Sequence, residues 1–168
     1  MKKVFLTLTV FLTFLSLIQS QTSIALKLEG SILGYYPAAV GTGAGFGFEL
    51  NVGKKSTLGV IFNTGTVQDL AKLKFGVSPE FRYYFKSAFE GIYLSANGNY
   101  DKFKQINDKG NYFGSYLFGL GGKIGYSKIV KEKIIIGLNF GTNVIGPSRG
   151  FNSTSSKITS NLEIAYKF

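Results

Sequence analysis

Four carboxylates and four cations are the side chains of this sequence whose types and spacing could support chemistry. They fall on the polar faces of segments in which polar and apolar residues alternate: Glu29, Glu49, Glu80 and Glu163, with Lys27, Lys74, Arg82 and Lys123. Two neighbouring carboxylates can act as a general acid and a general base. Pairing with cations instead compensates carboxylates for the hydration that they lose on burial. Because the two signs balance, we predict an interior charge cluster rather than a catalytic dyad.

Other catalytic chemistry is limited by two missing residue types, since the sequence contains no Cys and no His. A thiolate nucleophile, a Ser-His or Cys-His pair, and zinc sites built from Cys and His are therefore excluded. The glycines near Gly43 and Gly45 lack the strand-to-helix context of a phosphate-binding loop. We predict no enzymatic activity, no cofactor and no metal site.

The N-terminus has the layout of a secretory signal peptide. Met1-Lys2-Lys3 is cationic, and the apolar run from Val4 to Ile18 is shorter than the ~20 residues of a spanning helix. Ser20 is a small residue suited to the position before the cut, so we place cleavage between Ser20 and Gln21. The prediction is a signal peptide at 1–20 and one domain at 21–168; an uncleaved anchor is the alternative.

Beyond residue 22 the sequence alternates with a period of two, which is typical of β-strands. The 22 Gly, 16 Phe and 10 Tyr of the 168-residue chain agree with a strand-rich fold. We predict eight strands, near 23–33, 43–52, 57–65, 72–86, 91–101, 112–127, 133–145 and 157–168.

The connections between these segments differ in length. Tight turns are predicted at 53–56, 87–90 and 129–132, and longer loops at 34–42, 66–71, 102–111 and 146–156. Short turns at one end and longer loops at the other are typical of an up-and-down membrane barrel, whose strands are about 9–11 residues long. A soluble barrel alternates as well, so the period alone does not separate the two.

Three features favour the membrane barrel. Aromatic residues cluster at strand ends, as in an interfacial girdle: Tyr83, Phe85, Tyr126, Tyr166 and Phe168 on the turn side, and Tyr36, Tyr100, Tyr112 and Tyr116 on the loop side. The last strand ends on an aromatic, and the mid-strand charges balance. We therefore predict an all-β fold, an eight-stranded antiparallel up-and-down transmembrane β-barrel, with inward glycines leaving room for long side chains.

The end of the chain carries a family resemblance. Residues 161–168 place Leu162, Ile164, Tyr166 and Phe168 on one face, and this strand resembles the C-terminal signal read by the barrel-assembly machinery of Gram-negative bacteria. Residues 79–85 and 89–94 are similar to segments of small outer-membrane barrels of undefined function, and the general shape is like the OmpX and OmpA membrane domains. The resemblance implies export to the outer membrane and brings no active-site residues.

The net charge of +10 raises the question of a polyanionic partner. Interleaved basic and aromatic residues could stack on nucleic acid, but most lysines fall in turns and loops, so we expect no nucleic-acid partner. Six cations on the loop side are instead expected either to meet the phosphates of lipopolysaccharide and lipid or to be solvated: Lys72, Lys102, Lys104, Lys109, Arg149 and Lys157.

For function, we expect a monomeric, non-enzymatic barrel of the outer membrane with a structural or surface-interaction role. A narrow pore or small-ligand transporter is the alternative, although an eight-stranded interior is just wide enough to be filled by side chains. A secreted soluble barrel that binds a small apolar ligand is the second alternative.

Overall fold

A computed structural model describes residues 23–35, 39–67, 71–106, 112–146 and 155–168. The predicted signal peptide and Tyr36 lie outside these ranges. Within them, no helix is long and apolar enough to cross a membrane. The same residues contain no group of three or more acidic side chains placed to hold a metal ion.

Eight antiparallel strands follow one another along the described chain and close into a barrel. They are β1 (Ile24–Tyr35), β2 (Ala39–Gly53), β3 (Ser56–Val67), β4 (Ala71–Tyr84), β5 (Gly91–Ile106), β6 (Tyr112–Val130), β7 (Ile134–Ile145) and β8 (Ser155–Lys167). Each strand pairs with its sequence neighbours, and β1 pairs with β8 from Ala25–Lys167 to Tyr35–Lys157. The predicted eight-stranded up-and-down barrel is confirmed.

The distribution of polar and apolar side chains is the reverse of a soluble barrel. Leu28 and Leu120 on the outer surface are 65% and 76% exposed, whereas Arg82 and Glu163 in the lumen are 2% and 3% exposed. In water this arrangement would expose apolar area and bury charge, and both cost free energy. Around a hydrocarbon layer the same arrangement is favourable, so the fold is that of a transmembrane β-barrel.

The strands are longer than predicted at the loop end. Pairing of β1 with β2 continues to Tyr35–Ala39, and pairing of β3 with β4 continues to Val67–Ala71. The predicted long loops at 34–42 and 66–71 are therefore wrong, because only 36–38 and 68–70 separate these strands. Backbone hydrogen bonding extends the hairpins past the segments where apolar residues alternate. β5 likewise reaches Ile106 at this end. At the turn end, β6 continues to Val130, so the turn predicted at 129–132 lies at 131–133 instead.

Aromatic side chains ring the turn end of the barrel, which carries the connections β2–β3, β4–β5 and β6–β7. Tyr83, Phe85, Tyr126, Tyr166 and Phe168 are all exposed there. At the opposite end, called the loop end below, Tyr116 is exposed and stacks on Tyr100 with 5.8 Å between ring centroids. Such girdles are typical of the two interfaces of a membrane-spanning barrel.

Candidate functional site

The lumen of the barrel is built in layers. Every second residue of each strand points inward, so side chains at the same height on the eight strands meet across the lumen. From the turn end, β4 contributes Tyr84, Arg82, Glu80 and Ser78, and β8 contributes Ala165, Glu163, Asn161 and Thr159. An apolar layer, a charged layer and an amide-rich layer therefore follow one another toward the loop end.

The apolar layer closes the turn end. Phe89, from the connection between β4 and β5, lies inside the barrel and packs with Ala25, Ile135 and Ala165. Its backbone has φ 69°, and its carbonyl accepts a hydrogen bond of 2.8 Å from Ser127 Oγ. The connection 87–90, predicted as a simple tight turn, thus places one side chain, that of Phe89, in the lumen as a plug.

Tyr84 and Tyr93 lie directly above this plug. Their rings are 5.0 Å apart, and both side chains are almost fully buried. The Tyr93 ring occupies space beside Gly125, where a Cβ atom would collide with it. The bulky aromatic layer thus depends on a glycine of β6, as expected for inward glycines.

Arg82 is the centre of the charged layer. Its guanidinium makes a two-point contact with Glu163 of β8, with Nη1–Oε2 at 2.8 Å and Nη2–Oε1 at 2.5 Å. It also pairs with Glu80 at 2.9 Å and lies 3.5 Å from a Glu49 oxygen. The guanidinium carbon lies 4.5 Å from the centre of the Tyr93 ring. Its fork therefore joins three carboxylates and one aromatic face in a single buried group.

Two further cations complete this layer. Lys27 Nζ lies 2.6 Å from Glu49 and 3.6 Å from Glu163, and Lys123 Nζ lies 3.6 Å from Glu80. Glu49 also accepts hydrogen bonds from the hydroxyls of Thr57 and Tyr84. Each of these carboxylates thus lies within 4 Å of at least one cation.

The structure brings six of the eight predicted charges together in this way: Lys27, Glu49, Glu80, Arg82, Lys123 and Glu163. Glu29 lies on the loop-end side of the cluster, and its Oε2 atom is buried without a hydrogen-bond partner. The side chain of Lys74 lies outside the described part. The β4–β5 register pairs Leu73 with Phe103 and Phe75 with Lys102, so Lys74 occupies a bulge.

One buried ion pair was missed. Lys157 Nζ contacts Asp101 Oδ2 at 2.8 Å, and both side chains are buried in the lumen. The expectation that Lys157 meets phosphates outside the barrel is wrong. The alternation of the sequence indicates that the side chain of Lys157 points inward, because Lys157 has the same parity as the inward Thr159, Asn161 and Glu163.

Amide side chains form the layer above the charges. Asn139 Nδ2 donates to Glu163 at 2.6 Å, and Asn161 Nδ2 donates to Asn139 at 2.8 Å. On the other wall, Asn97 donates to Asn143 at 2.7 Å, and Ser78 donates to Asn99 at 2.8 Å. A polar cavity of about 20 Å³ lies among these residues, next to Glu29 and Lys123.

The predicted assembly signal lies on the outer surface of β8. Leu162, Ile164, Tyr166 and Phe168 are all exposed on one face of the barrel. The Phe168 amide donates to the Ile24 carbonyl at 2.8 Å, and the Tyr166 and Phe168 rings meet edge to face. The end of the chain therefore takes part in closing the barrel against β1.

An exposed ion pair lies at the turn end, outside the membrane-spanning strands. Lys86 Nζ contacts Glu90 Oε1 at 2.7 Å. This hydrogen bond lowers the pKa of the Glu90 carboxyl and raises the pKa of the Lys86 ammonium. Both groups are in contact with solvent, whereas the charged groups of the lumen are buried.

Solved structures with this architecture are small outer-membrane barrels. Neisserial surface protein A is 15% identical, with a TM-score of 0.63 over 85% of this chain and 96% of that chain. The N-terminal β-barrel domain of Pseudomonas aeruginosa OprF is 14% identical, with a TM-score of 0.57 over 88% of this chain and 100% of that chain. Ail of Yersinia pestis is 12% identical, with a TM-score of 0.51 over 88% of this chain and 97% of that chain. At these identities the similarity concerns the fold.

Sequence comparison gives the family. No curated protein matches the chain. The model of DUF3575, described as a protein of unknown function, matches residues 6–146, which is well over half of the sequence. The chain therefore belongs to the DUF3575 family, and its described residues form a transmembrane-type β-barrel with a charged lumen.

Proposed function

We propose that this protein is a non-enzymatic β-barrel of the outer membrane whose role is structural or surface-interacting. The observation that carries the proposal is the filled lumen. Phe89 plugs the turn end, and the Arg82 cluster spans the space above it. Because side chains fill two successive layers of the lumen, the outer surface and the loops are the parts of the barrel that can interact with other molecules.

The outer-membrane location rests on several independent features. The N-terminal residues have the pattern of an export signal, and the barrel surface is apolar between two aromatic girdles. A β-barrel satisfies its backbone hydrogen bonds within a bilayer only when it is closed, and this one is closed by β1 and β8. We further propose that the exposed face of β8 is the signal for the assembly machinery and that the barrel is a monomer.

Lipopolysaccharide and membrane lipid are the proposed partners of the loop end. Lys102 Nζ lies 5.3 Å from the centre of the Tyr116 ring, so a cation and an aromatic face are adjacent near this rim. Phosphate groups favour such cationic positions at a membrane surface. This proposal assigns the loop end to the cell exterior.

Recording from planar bilayers tests the proposed function against the transport alternative. Purified, refolded protein is expected to give no stable conductance steps, under conditions where a porin in the same bilayers conducts. Stable steps that scale with the amount of folded protein would contradict the structural role and support a narrow pore. An unboiled and a boiled sample on one gel must differ in migration, to show that the reconstituted protein is folded.

A further inference from the structure

A row of aromatic rings crosses three neighbouring strands on the outer surface of the barrel. Phe46 of β2 stacks on Phe62 of β3 with 5.4 Å between ring centroids, and the Phe62 ring lies 6.2 Å from that of Phe75 on β4. The strand register then pairs Phe75 with Lys102 of β5. This row of rings therefore ends beside a lysine.

A second row of rings begins on the other side of Lys102. The register pairs Lys102 with Tyr116 of β6, and the Lys102 Nζ atom lies 5.3 Å from the centre of the Tyr116 ring. The Tyr100 ring contacts both neighbours on β6, at 5.8 Å from Tyr116 and 4.9 Å from Phe118. Lys102 is thus flanked by aromatic rings on both sides.

The outer surface around Lys102 has positive charge without nearby carboxylates. In the described part of the chain, the acidic side chains lie in the lumen or at the turn end: Glu29, Glu49, Glu80, Asp101 and Glu163 in the lumen, and Glu90 and Glu132 at the turn end. Farther along the same strand pair, the register places Lys72 of β4 directly opposite Lys104 of β5. Like charges directly opposite each other destabilise a strand pair, so a bound anion would be favourable here.

We propose that the outer wall of β2–β6 is a binding site for lipopolysaccharide, with a phosphate of its lipid A part at Lys102 and its acyl chains on the two rows of rings. The rows extend over four strand spacings of about 4.8 Å, or about 19 Å. This width accommodates several acyl chains side by side, and lipid A carries several chains and more than one phosphate. The inference rests on the proposed outward orientation of the loop end, and it assigns the contact to one wall of the barrel rather than to the loops.

Other parts of the outer surface provide matched comparisons. Ile32 lies on β1, which stands four places from β5 in the ring, and its side chain is 61% exposed, the same fraction as Phe118. Lys128 of β6 is exposed near the turn end, on the same outer face as Tyr126. Ile32 therefore reports on lipid at a wall without the proposed site, and Lys128 is an outer lysine at the opposite end of the barrel.

Fluorescence quenching by lipid tests the site locally. The chain contains no Trp, so Phe118→Trp and Ile32→Trp each place a single fluorophore on one wall. Each variant is refolded into vesicles of brominated phosphatidylcholine, which quenches a Trp that it contacts. Unbrominated lipid A, added at a small mole fraction, should restore the fluorescence several-fold more at position 118 than at position 32. Adding Lys102→Gln to Phe118→Trp should reduce this excess by at least half, and adding Lys128→Gln should preserve it.

Three results would overturn the proposal, in protein whose gel mobility shifts on boiling and which is therefore folded. Equal restoration at positions 118 and 32 would exclude a lipid site on this wall, and an unchanged excess in Lys102→Gln would exclude the role of that lysine. Equal restoration by phosphatidylglycerol, added to the same negative charge, would assign the wall to phospholipid instead of lipopolysaccharide. The proposed structural role is judged separately, because conductance steps from the same preparation would contradict that role and leave the lipid site standing.

Discussion

Arg82 on β4 and Glu163 on β8 form a two-point ion pair across the full width of the barrel, with contacts of 2.8 Å and 2.5 Å. The two strands stand four places apart in an eight-stranded ring, so the pair joins opposite walls. Glu80 and Glu49 contact the same guanidinium from β4 and β2. Three strands thus converge on one side chain, which makes Arg82 the central cross-link of the lumen.

Replacing Arg82 with Ala should therefore destabilise the folded barrel strongly. The variant removes the nearest cation of Glu163 and of Glu80, at 2.5 Å and 2.9 Å, and breaking a buried ion pair by removing one partner costs about 3–5 kcal/mol. Urea unfolding in lipid vesicles measures the loss in free energy. Lys86→Ala, which removes the solvent-exposed partner of Glu90, is the control and should change the stability little. A loss below about 1 kcal/mol for Arg82→Ala would contradict its role as a buried cross-link.

Phe168 should matter for assembly more than any single loop residue. Deleting it, or replacing it with Asp, removes an exposed aromatic from the end of the β8 face, beside Tyr166. Quantifying the folded, heat-modifiable protein in outer-membrane fractions checks this, with the loop change Lys109→Glu as the comparison. Normal amounts of the folded Phe168 variants would show that this face is not the assembly signal.

Glycines in the lumen should resist substitution, and glycines on the lipid face should tolerate it. A Cβ atom at Gly141 would collide with Lys123 and the β6 backbone, whereas a Cβ atom at Gly30 meets nothing nearby. Overpacking typically costs about 1–3 kcal/mol, so Gly141→Ala should lower the free energy of unfolding by that amount. Gly30→Ala, measured in the same urea titration, should be close to neutral. Equal effects of the two substitutions would argue against a filled lumen.

Protease treatment of intact cells should reveal the orientation of the barrel. Lys109 and Arg149 lie in the intervals β5–β6 and β7–β8 at the loop end, and Lys54 and Lys131 lie in turns at the opposite end. Trypsin is expected to cut at the first pair, since exposed loop tips are preferred sites of nicking. Mass spectrometry of the fragments identifies the sites. Cleavage after Lys54 or Lys131 in intact cells would reverse the proposed orientation.

The alternation of the sequence predicted most of the strands, because a period of two assigns each side chain to one face. It placed Arg82, Glu80 and Glu163 on polar faces, and the barrel then brought those faces together. The partners of Arg82 were predictable only as a set, since alternation gives the face of a residue but not its neighbours across a lumen.

Other features of the structure could not be predicted from the alternation within a single strand. Phe89 has no periodic signal, because its position follows from a φ of 69° in a connection rather than from a strand. The Asp101–Lys157 pair was missed because both residues were assigned near the ends of strands that continue further. The bulge at Lys74 likewise reflects the register with β5, which is set by the pairing of two strands.

The apolar outer face of this barrel is expected to contact lipid. The chain contains no Cys, so single cysteines carrying a spin label can be placed at will. Labels at Leu120 and Leu138 on the outer surface, and at Lys131 in a turn, are compared after reconstitution into vesicles. Labels at both leucine positions should collide with lipid-soluble oxygen and not with a water-soluble nickel chelate, while the label at Lys131 should show the opposite preference. Nickel accessibility at Leu120 and Leu138 equal to that at Lys131 would contradict the transmembrane barrel.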